Sequence, residues 1–229
     1  MENNSRAKAL AQSIVNVANG AGTKTSALLT DMNSVLGTTV GNALEVEEAL
    51  LYLKNENIDY RLDKVTKELC SEILINSGLA KCKEDALSML NNSISSGKAY
   101  ELFVKMSASL GADIKYIENY DNMQKKAKYV EPIYADKEGY VSAVDTRQVG
   151  LGVIMLGGGR THPNQKINYT TGFTSFCQIG DKVDTKTPLC YIHAEEKDKI
   201  SAVSKVIRDA IIITEEKTKS KPVIIERIS

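Results

Sequence analysis

Two stretches of this 229-residue chain combine residue types that could do chemistry. The first is Leu36-Gly37-Thr38-Thr39-Val40-Gly41-Asn42, followed by Glu45, Glu47 and Glu48. Backbone carbonyls at Leu36 and Thr39, with the Glu48 carboxylate, would form an all-oxygen donor set suited to a hard cation. The same residues also read as a helix start, with Asn42 capping and the acidic residues set against the positive end of the helix dipole. The second stretch is Gly157-Gly158-Gly159-Arg160, where glycines let backbone amides approach an anion and arginine offers a bidentate donor. Its spacing is not that of a G-x-x-x-x-G-K-[ST] phosphate loop, and it follows a helical pattern instead of opening one. It therefore predicts a helix terminus and turn, and supports no catalytic assignment.

The remaining reactive side chains are scattered. Cys70, Cys82, Cys177 and Cys190 have no C-x-x-C spacing, and only His162 and His193 could add nitrogen ligands. That pattern argues against zinc and fits four reduced thiols in the cytosol. His193 ends an apolar strand, where a lone histidine is more often a hydrogen-bonded structural residue than a general base. Asp145 opens a helix and predicts an N-cap, with Arg147 at its surface. Ile179-Gly180-Asp181-Lys182-Val183, followed by Pro188, Leu189 and Ile192, resembles the tight-turn strands of biotinyl and lipoyl domains. It lacks the Met-Lys-Met element that a carrier domain would modify, so it reports architecture.

These segments need elements to hold them. Hydrophobic content of 42% with 25% charged residues is ordinary for a globular chain with a buried core. Lys plus Arg equals Asp plus Glu, which gives no electrostatic reason to expect nucleic acid or an anionic membrane as partner. The polar start, MENNSRAKAL, lacks a signal-peptide core, and no run reaches the ~20 apolar residues of a membrane span, so a cytoplasmic location is expected.

Ala7, Leu10, Ala11, Ile14, Val17 and Ala18 predict a first amphipathic helix ending near Gly20. A short strand at residues 26–29 and a helix through Val46, Ala49, Leu50 and Leu53 then read as one βα unit of a parallel sheet. Three more helices follow, marked by Leu62, Val65 and Leu69, by Leu87, Leu90 and Ile94, and by Ala99, Leu102, Phe103, Met106 and Leu110. Gly78 and Gly111 serve as stops. A lone parallel strand leaves its edges open, so this half reads as the end of an α/β domain whose earlier strands are absent. The stretch from 113 to 128 turns polar and suggests a boundary. Beyond it lie strands near 129–134, 139–144, 172–176 and 189–194, a helix over 145–156, and a last helix carrying Val203, Val206, Ile207, Ala210 and Ile211. A β-like tail at 223–225 completes a small α+β domain.

Four ordered blocks then stand out: VANGAGTKTSALLTDMNSVLGTTVGNALEVEEALLYL from Val17 to Leu53, PIYADKEGYVSAVDTRQVGLGVIMLGGGR from Pro132 to Arg160, YTTGFTSFCQIGDKV from Tyr169 to Val183, and PLCYIHA from Pro188 to Ala194. Together they resemble the C-terminal half of thymidine and pyrimidine-nucleoside phosphorylases, over nearly the whole chain. The resemblance implies the C-terminal portion of a doubly wound parallel-sheet α/β domain, of glycosyltransferase family 3 type, over residues 1–115. It implies a small α+β domain, barrel-sandwich or hammerhead-like, over 116–229.

The implied activity is phosphorolysis of thymidine and related pyrimidine deoxynucleosides to free base and 2-deoxyribose 1-phosphate. The family's Lys-His-Ser-Thr-Gly-Gly phosphate segment and its base-gripping Arg, Ser and Lys match no position here, so no catalytic residue is assigned. Phosphate and nucleoside are expected as partners only when an N-terminal half complements the chain. A potassium-like site is implied at Leu36, Thr39 and Glu48, with further ligands from that half. No other cofactor is expected, and self-association is left open. An inactive gene remnant and a non-catalytic binding module, with the Gly157–Arg160 loop as its contact, are the alternatives.

Overall fold

The structure is a computed structural model that describes residues 3–229, so Met1 and Glu2 lie outside the described residues. In chain order its elements begin with α1 (Asn4–Gly20), β1 (Ala27–Thr30), β2 (Val40–Gly41), α2 (Asn42–Leu53), α3 (Tyr60–Asn76), α4 (Lys83–Ser95) and α5 (Lys98–Ser109). They continue with α6 (Ile114–Glu118), α7 (Tyr120–Met123), β3 (Tyr129–Tyr134), β4 (Gly139–Val144), α8 (Thr146–Met155) and β5 (Gly172–Thr174). The last are β6 (Lys182–Val183), β7 (Pro188–Ala194), α9 (Lys197–Ala210), β8 (Ile211–Thr214) and β9 (Ile224–Ile228). No helix among the described residues is long and apolar enough to cross a membrane.

Two compact units emerge, and neither is one continuous stretch. One comprises Met1–Asp31, Ile58–Ala99 and Lys221–Ser229; the other comprises Met32–Asn57 and Tyr100–Ser220. These units follow contacts between distant segments of the chain.

In the first unit, Asn3 caps α1 by accepting from the Arg6 amide at 2.9 Å. The left-handed residue after that helix is Gly22, not Gly20, which completes the last turn. The expected short strand is present as β1. Its partner, however, is antiparallel β9, with Ala27 opposite Ile228 and Leu28 opposite Arg227. The βα order had implied a parallel neighbour, yet every strand pair among the described residues is antiparallel. Apolar periodicity marks a strand but not the direction of its partner, and here the chain's own tail fills that position. Glu72 of α3 links the two strands: it accepts from Ser26 at 2.6 Å and from the Arg227 guanidinium at 2.9 Å. The Arg227 hydrogen bond, joined by that of Ser26 and opposed by burial, holds this carboxyl below its usual range. Buried Arg61 reaches Asp31 Oδ2 at 3.2 Å, which fixes the end of the β1 segment to α3.

The second unit mixes sheets and helices around a large apolar core. Its four-stranded sheet has the order β2-β5-β7-β3, and its three-stranded sheet the order β6-β4-β8. Ile200, Val203, Ile207 and Ala210 recur three and four residues apart on α9 and are all buried. They join Val149 and Val153 of α8, Phe173 of β5 and Ile192 of β7 in one core. α9 ends at Ala210, one residue before the expected helix pattern does: Ile211 opens β8, with Val144 as its cross-strand partner. A run of β-branched residues fits both periodicities at a junction, and the sheet contact decides. A smaller cluster joins Leu50 of α2, Val104 of α5, Ile117 of α6 and Tyr120. There the Tyr116 and Tyr120 rings meet edge to face at 5.7 Å.

Candidate functional site

The glycine-bearing loop before α2 is held by one carboxylate. Glu48 Oε1 accepts from the Thr38 amide at 2.7 Å and the Thr38 hydroxyl at 2.8 Å, while Oε2 accepts from the Thr39 hydroxyl at 2.7 Å. A side chain at Gly37 would overlap this carboxylate, so only glycine lets the loop wrap so closely around it. Two further bonds tie the loop to the strand region: Gln178 Nε2 donates to the Gly37 carbonyl at 2.8 Å, and the Phe176 amide donates to the Thr38 carbonyl at 2.9 Å. Thr39 and Glu48 are thus brought together, with Leu36 one residue ahead of the tied turn.

Asn42 does not cap α2, contrary to the simplest reading of the sequence. It is the first residue of the helix, and its side-chain amide donates to the Gly158 carbonyl at 2.8 Å. The capping work falls to Glu45, whose carboxylate accepts from the Gly41 amide at 2.8 Å. Asp145 does act as an N-cap, accepting from the Arg147 and Gln148 amides at 3.1 Å each.

The triple-glycine segment closes α8. The Gly157 and Gly158 amides donate to the Ile154 and Val153 carbonyls at 2.9 Å, so both are spent on the helix terminus instead of facing an anion. A Cβ on Gly158 would lie 2.6 Å from Val153 Cγ1 and 3.0 Å from Thr171 Oγ1, which makes this a close-packing glycine. Arg160 beyond it is exposed. The Gly180-Asp181 turn likewise serves architecture, since the Asp181 carboxylate accepts from the Gln178 amide at 2.8 Å and β6 then pairs with β4.

One close approach not anticipated from the sequence joins the loop to the sheet. Gly41 and Gly172 face each other in the β2–β5 pair, at φ 137° and 152°. A Cβ on Gly41 would sit 2.6 Å from the Thr171 carbonyl, and one on Gly172 would overlap the Val40 carbonyl. A glycine at the head of a strand pattern was the available signal. β5 then pairs with β7, placing Gly172 opposite His193 and Thr174 opposite Tyr191. Thr174 Oγ1 and His193 Nε2 consequently lie 2.9 Å apart across the diagonal. Burial pushes the His193 imidazole below its ordinary pKa, so it is neutral near pH 7.

Around these groups opens a cavity of about 430 Å³. Thr38, Thr39, Glu47 and Glu48 line it from the loop and α2, and Thr174 and His193 from the sheet. Lys125 and Lys126, from the polar stretch ahead of β3, complete it. Leu44, Leu51 and Val130 supply apolar surface. Tyr120 braces α2 in the same unit by donating its hydroxyl to the Ala43 carbonyl at 2.8 Å, and burial pushes its pKa up to about 12.

The thiols are not part of the cavity. Burial raises Cys70 and Cys190, and lifts Cys177 to about 12, which leaves all three protonated and unreactive. Among the described residues no group of three or more His, Cys, Asp and Glu side chains could hold a metal.

Residues 140–214 match the family model of the pyrimidine nucleoside phosphorylase C-terminal domain. That span runs from β4 to β8 and includes α8, the triple-glycine turn, the Thr174–His193 pair and α9. Over residues 140–214 the chain is therefore similar to the C-terminal domain of pyrimidine nucleoside phosphorylases.

Proposed function

We propose that this chain is the C-terminal portion of a thymidine phosphorylase, a cytoplasmic pentosyltransferase of pyrimidine salvage. The observation that carries this reading is the family match over residues 140–214. It is supported by the glycine-bearing loop and Glu48, which lie outside that span within the family-like block from Val17 to Leu53.

In the complete reaction, inorganic phosphate attacks C1′ of the deoxynucleoside, the bond from C1′ to the base nitrogen breaks, and the base leaves with its electron pair. Positive charge grows on the sugar and negative charge on the base, so catalysis needs a positioned phosphate and donors aimed at the departing base. We assign both to a complementing N-terminal segment. This chain's role is to support that segment and frame one wall of the cleft, and it is inactive alone.

The finer fold assignment belongs to the same reading. β1 is paired with β9 on one side and has no second partner among the described residues. We assign its other edge to a parallel strand from the complementing segment, which would make β1 the last strand of a doubly wound sheet. A monovalent cation is proposed at the Leu36 and Thr39 carbonyls and the Glu48 carboxylate. The fit of the donor set supports it: all donors are oxygen, and the three bonds to Glu48 leave room on its lone pairs for one more partner.

The test is phosphate-dependent release of thymine from thymidine by the purified chain, alone and after mixing with the N-terminal half of a phosphorylase. Activity only in the mixture, rising with added potassium, is the expected result. Activity of the chain alone would overturn the assignment of catalysis to the other segment. Silence in a mixture shown to form a complex would leave a non-catalytic module.

A further inference from the structure

The glycine-bearing loop before α2 is clamped at a single peptide unit. In the peptide that joins Gly37 to Thr38, the carbonyl accepts from Gln178 Nε2 at 2.8 Å and the amide donates to Glu48 Oε1 at 2.7 Å. A trans peptide points its carbonyl and its amide in opposite directions, so Gln178 and Glu48 grip one plane from its two sides. A chain of hydrogen bonds therefore runs from the Gln178 side chain through the peptide to the carboxylate, and each bond in such a chain polarises the next. Gly37 puts no side-chain limit on rotation of that plane, and a Cβ there would overlap Glu48. Restraint must come from outside the loop.

Gln178 is itself held firmly. Its backbone amide donates to Asp181 Oδ2 at 2.8 Å, and its carbonyl accepts from the Asp181 amide at 3.1 Å. Val141 of β4 fixes that turn, donating to the Asp181 carbonyl at 3.0 Å and accepting from the Gly180 amide at 2.8 Å. Gln178 Oε1 is buried and has no hydrogen-bond partner among the described residues. Turning the side-chain amide over would set this oxygen against the Gly37 carbonyl, acceptor to acceptor, so the donating orientation holds although it leaves a buried acceptor open. The Phe176 amide takes the Thr38 carbonyl in the same way, whereas no donor among the described residues reaches the Leu36 or Thr39 carbonyl. Those two carbonyls are the ones left for a ligand.

We propose that Gln178 is a positioning residue of the cation loop: by holding the Gly37 to Thr38 peptide against Glu48, it orients the carboxylate and sets the affinity of the site. This inference rests on the cation proposed above at the Leu36 and Thr39 carbonyls and Glu48. Without the Gln178 donor the peptide turns about Gly37 and the Thr38 amide leaves Glu48 Oε1. The carboxylate then keeps only the Thr38 and Thr39 hydroxyls, which rotate and fix it poorly. Gln178 lies 141 positions from Gly37 and falls inside the span 140–214 that matches the family model, whereas the loop lies outside it. The Gly180-Asp181 turn thus carries the side chain that couples that span to the loop.

The experiment compares the chain with Gln178→Met, which keeps the side-chain length without the donor, and with Gln178→Glu, which keeps the shape but presents an acceptor. Amide hydrogen exchange at Thr38 is read in the full chain without added cation, with the Val203 and Ile207 amides of α9 as the control for global stability. Thallium(I), a stand-in for potassium, is titrated by thallium NMR into the mixture with a phosphorylase N-terminal half. In both variants Thr38 exchange is expected to quicken by about five- to tenfold with Val203 and Ile207 unchanged, and thallium affinity to fall by a similar factor. A scalar coupling from the Gln178 side-chain nitrogen to the Gly37 carbonyl carbon is expected in the unaltered chain, and its absence would overturn the clamp without any variant. Unchanged Thr38 exchange, or a rise matched at Val203 and Ile207, would overturn the positioning role. Faster Thr38 exchange with unchanged thallium affinity would overturn the link from loop to site. Failure of the unaltered mixture to bind thallium would instead overturn the cation reading, while the exchange result still decides whether Gln178 holds the loop.

Discussion

The two compact units solve the problem of burial differently. In the second, Val141, Phe173, Ile192, Val203 and Ile207 are fully buried within a core drawn from two sheets and two helices. In the first, the buried apolar side chains are Val15, Ala80, Ala86, Val223 and Ile228, and the other fully enclosed groups are the polar Asp31, Arg61 and Ser71. Leu10, Ile14 and Val17 lie along α1 at helical spacing and are each about half exposed or more, and Ile73 of α3 is 66% exposed. Apolar burial stabilises a fold broadly and tolerates repacking, whereas a buried ion pair is indispensable once present because either partner alone is an uncompensated charge. The second unit therefore rests on a broad apolar core. The first relies on a few specific polar links and leaves apolar surface available for a partner.

Each unit carries its own thiols, Cys70 and Cys82 in the first and Cys177 and Cys190 in the second, so labelling in urea can follow the two separately. The largest effect is expected from Arg61→Ala, which breaks the buried 3.2 Å pair with Asp31 and should destabilise the first unit by about 3–5 kcal/mol, read as a lower urea midpoint for Cys70 labelling. An unchanged midpoint would mean that this unit does not depend on its polar links. Next is Gly172→Ala, whose Cβ meets the Val40 carbonyl at a backbone angle that disfavours side chains. It should cost the second unit about 3 kcal/mol, seen as earlier labelling of Cys177. Tyr120→Phe removes the 2.8 Å bond to the Ala43 carbonyl and with it a brace on α2, for a loss of about 1 kcal/mol in the same assay.

The smallest expected effect is a pH dependence confined to the second unit. Because burial lowers the His193 pKa, the unfolded chain takes up a proton first as pH falls below the ordinary value of about 6.5. The stability associated with neutral His193 is thus complete above that pH and is lost progressively as the pH drops toward the folded value. His193→Gln should flatten this limb of the Cys177 labelling profile and leave the profile of Cys70 as it was. A slope that survives the substitution would assign it to another group.

Much of the architecture was legible in the sequence. The three helices after Asn57, the strands at 129–134 and 139–144, and the Asp145 cap all follow from local spacing, and the structure contains each. The triple glycine was legible as a helix terminus because it follows an apolar helical run. What could not be read were pairings at long range. The glycine-bearing loop read as a helix cap ahead of a cation site, because local sequence cannot show that Glu48 folds back onto Thr38 and Thr39, nor that Asn42 reaches Gly158. The polar run at Lys125 and Lys126 looked like a boundary, and only folding places it beside His193 in a cavity.

The sequence by itself determined which segments are helix or strand and which family model residues 140–214 match, since both depend on residue types at short, fixed spacings. The tertiary structure alone decided that β1 pairs with the tail strand β9, that Gly41 meets Gly172, and that loops, a helix and three strands converge on one cavity. Those outcomes depend on which hydrogen-bonding edges and apolar faces find each other across more than a hundred residues, and no local pattern encodes that choice.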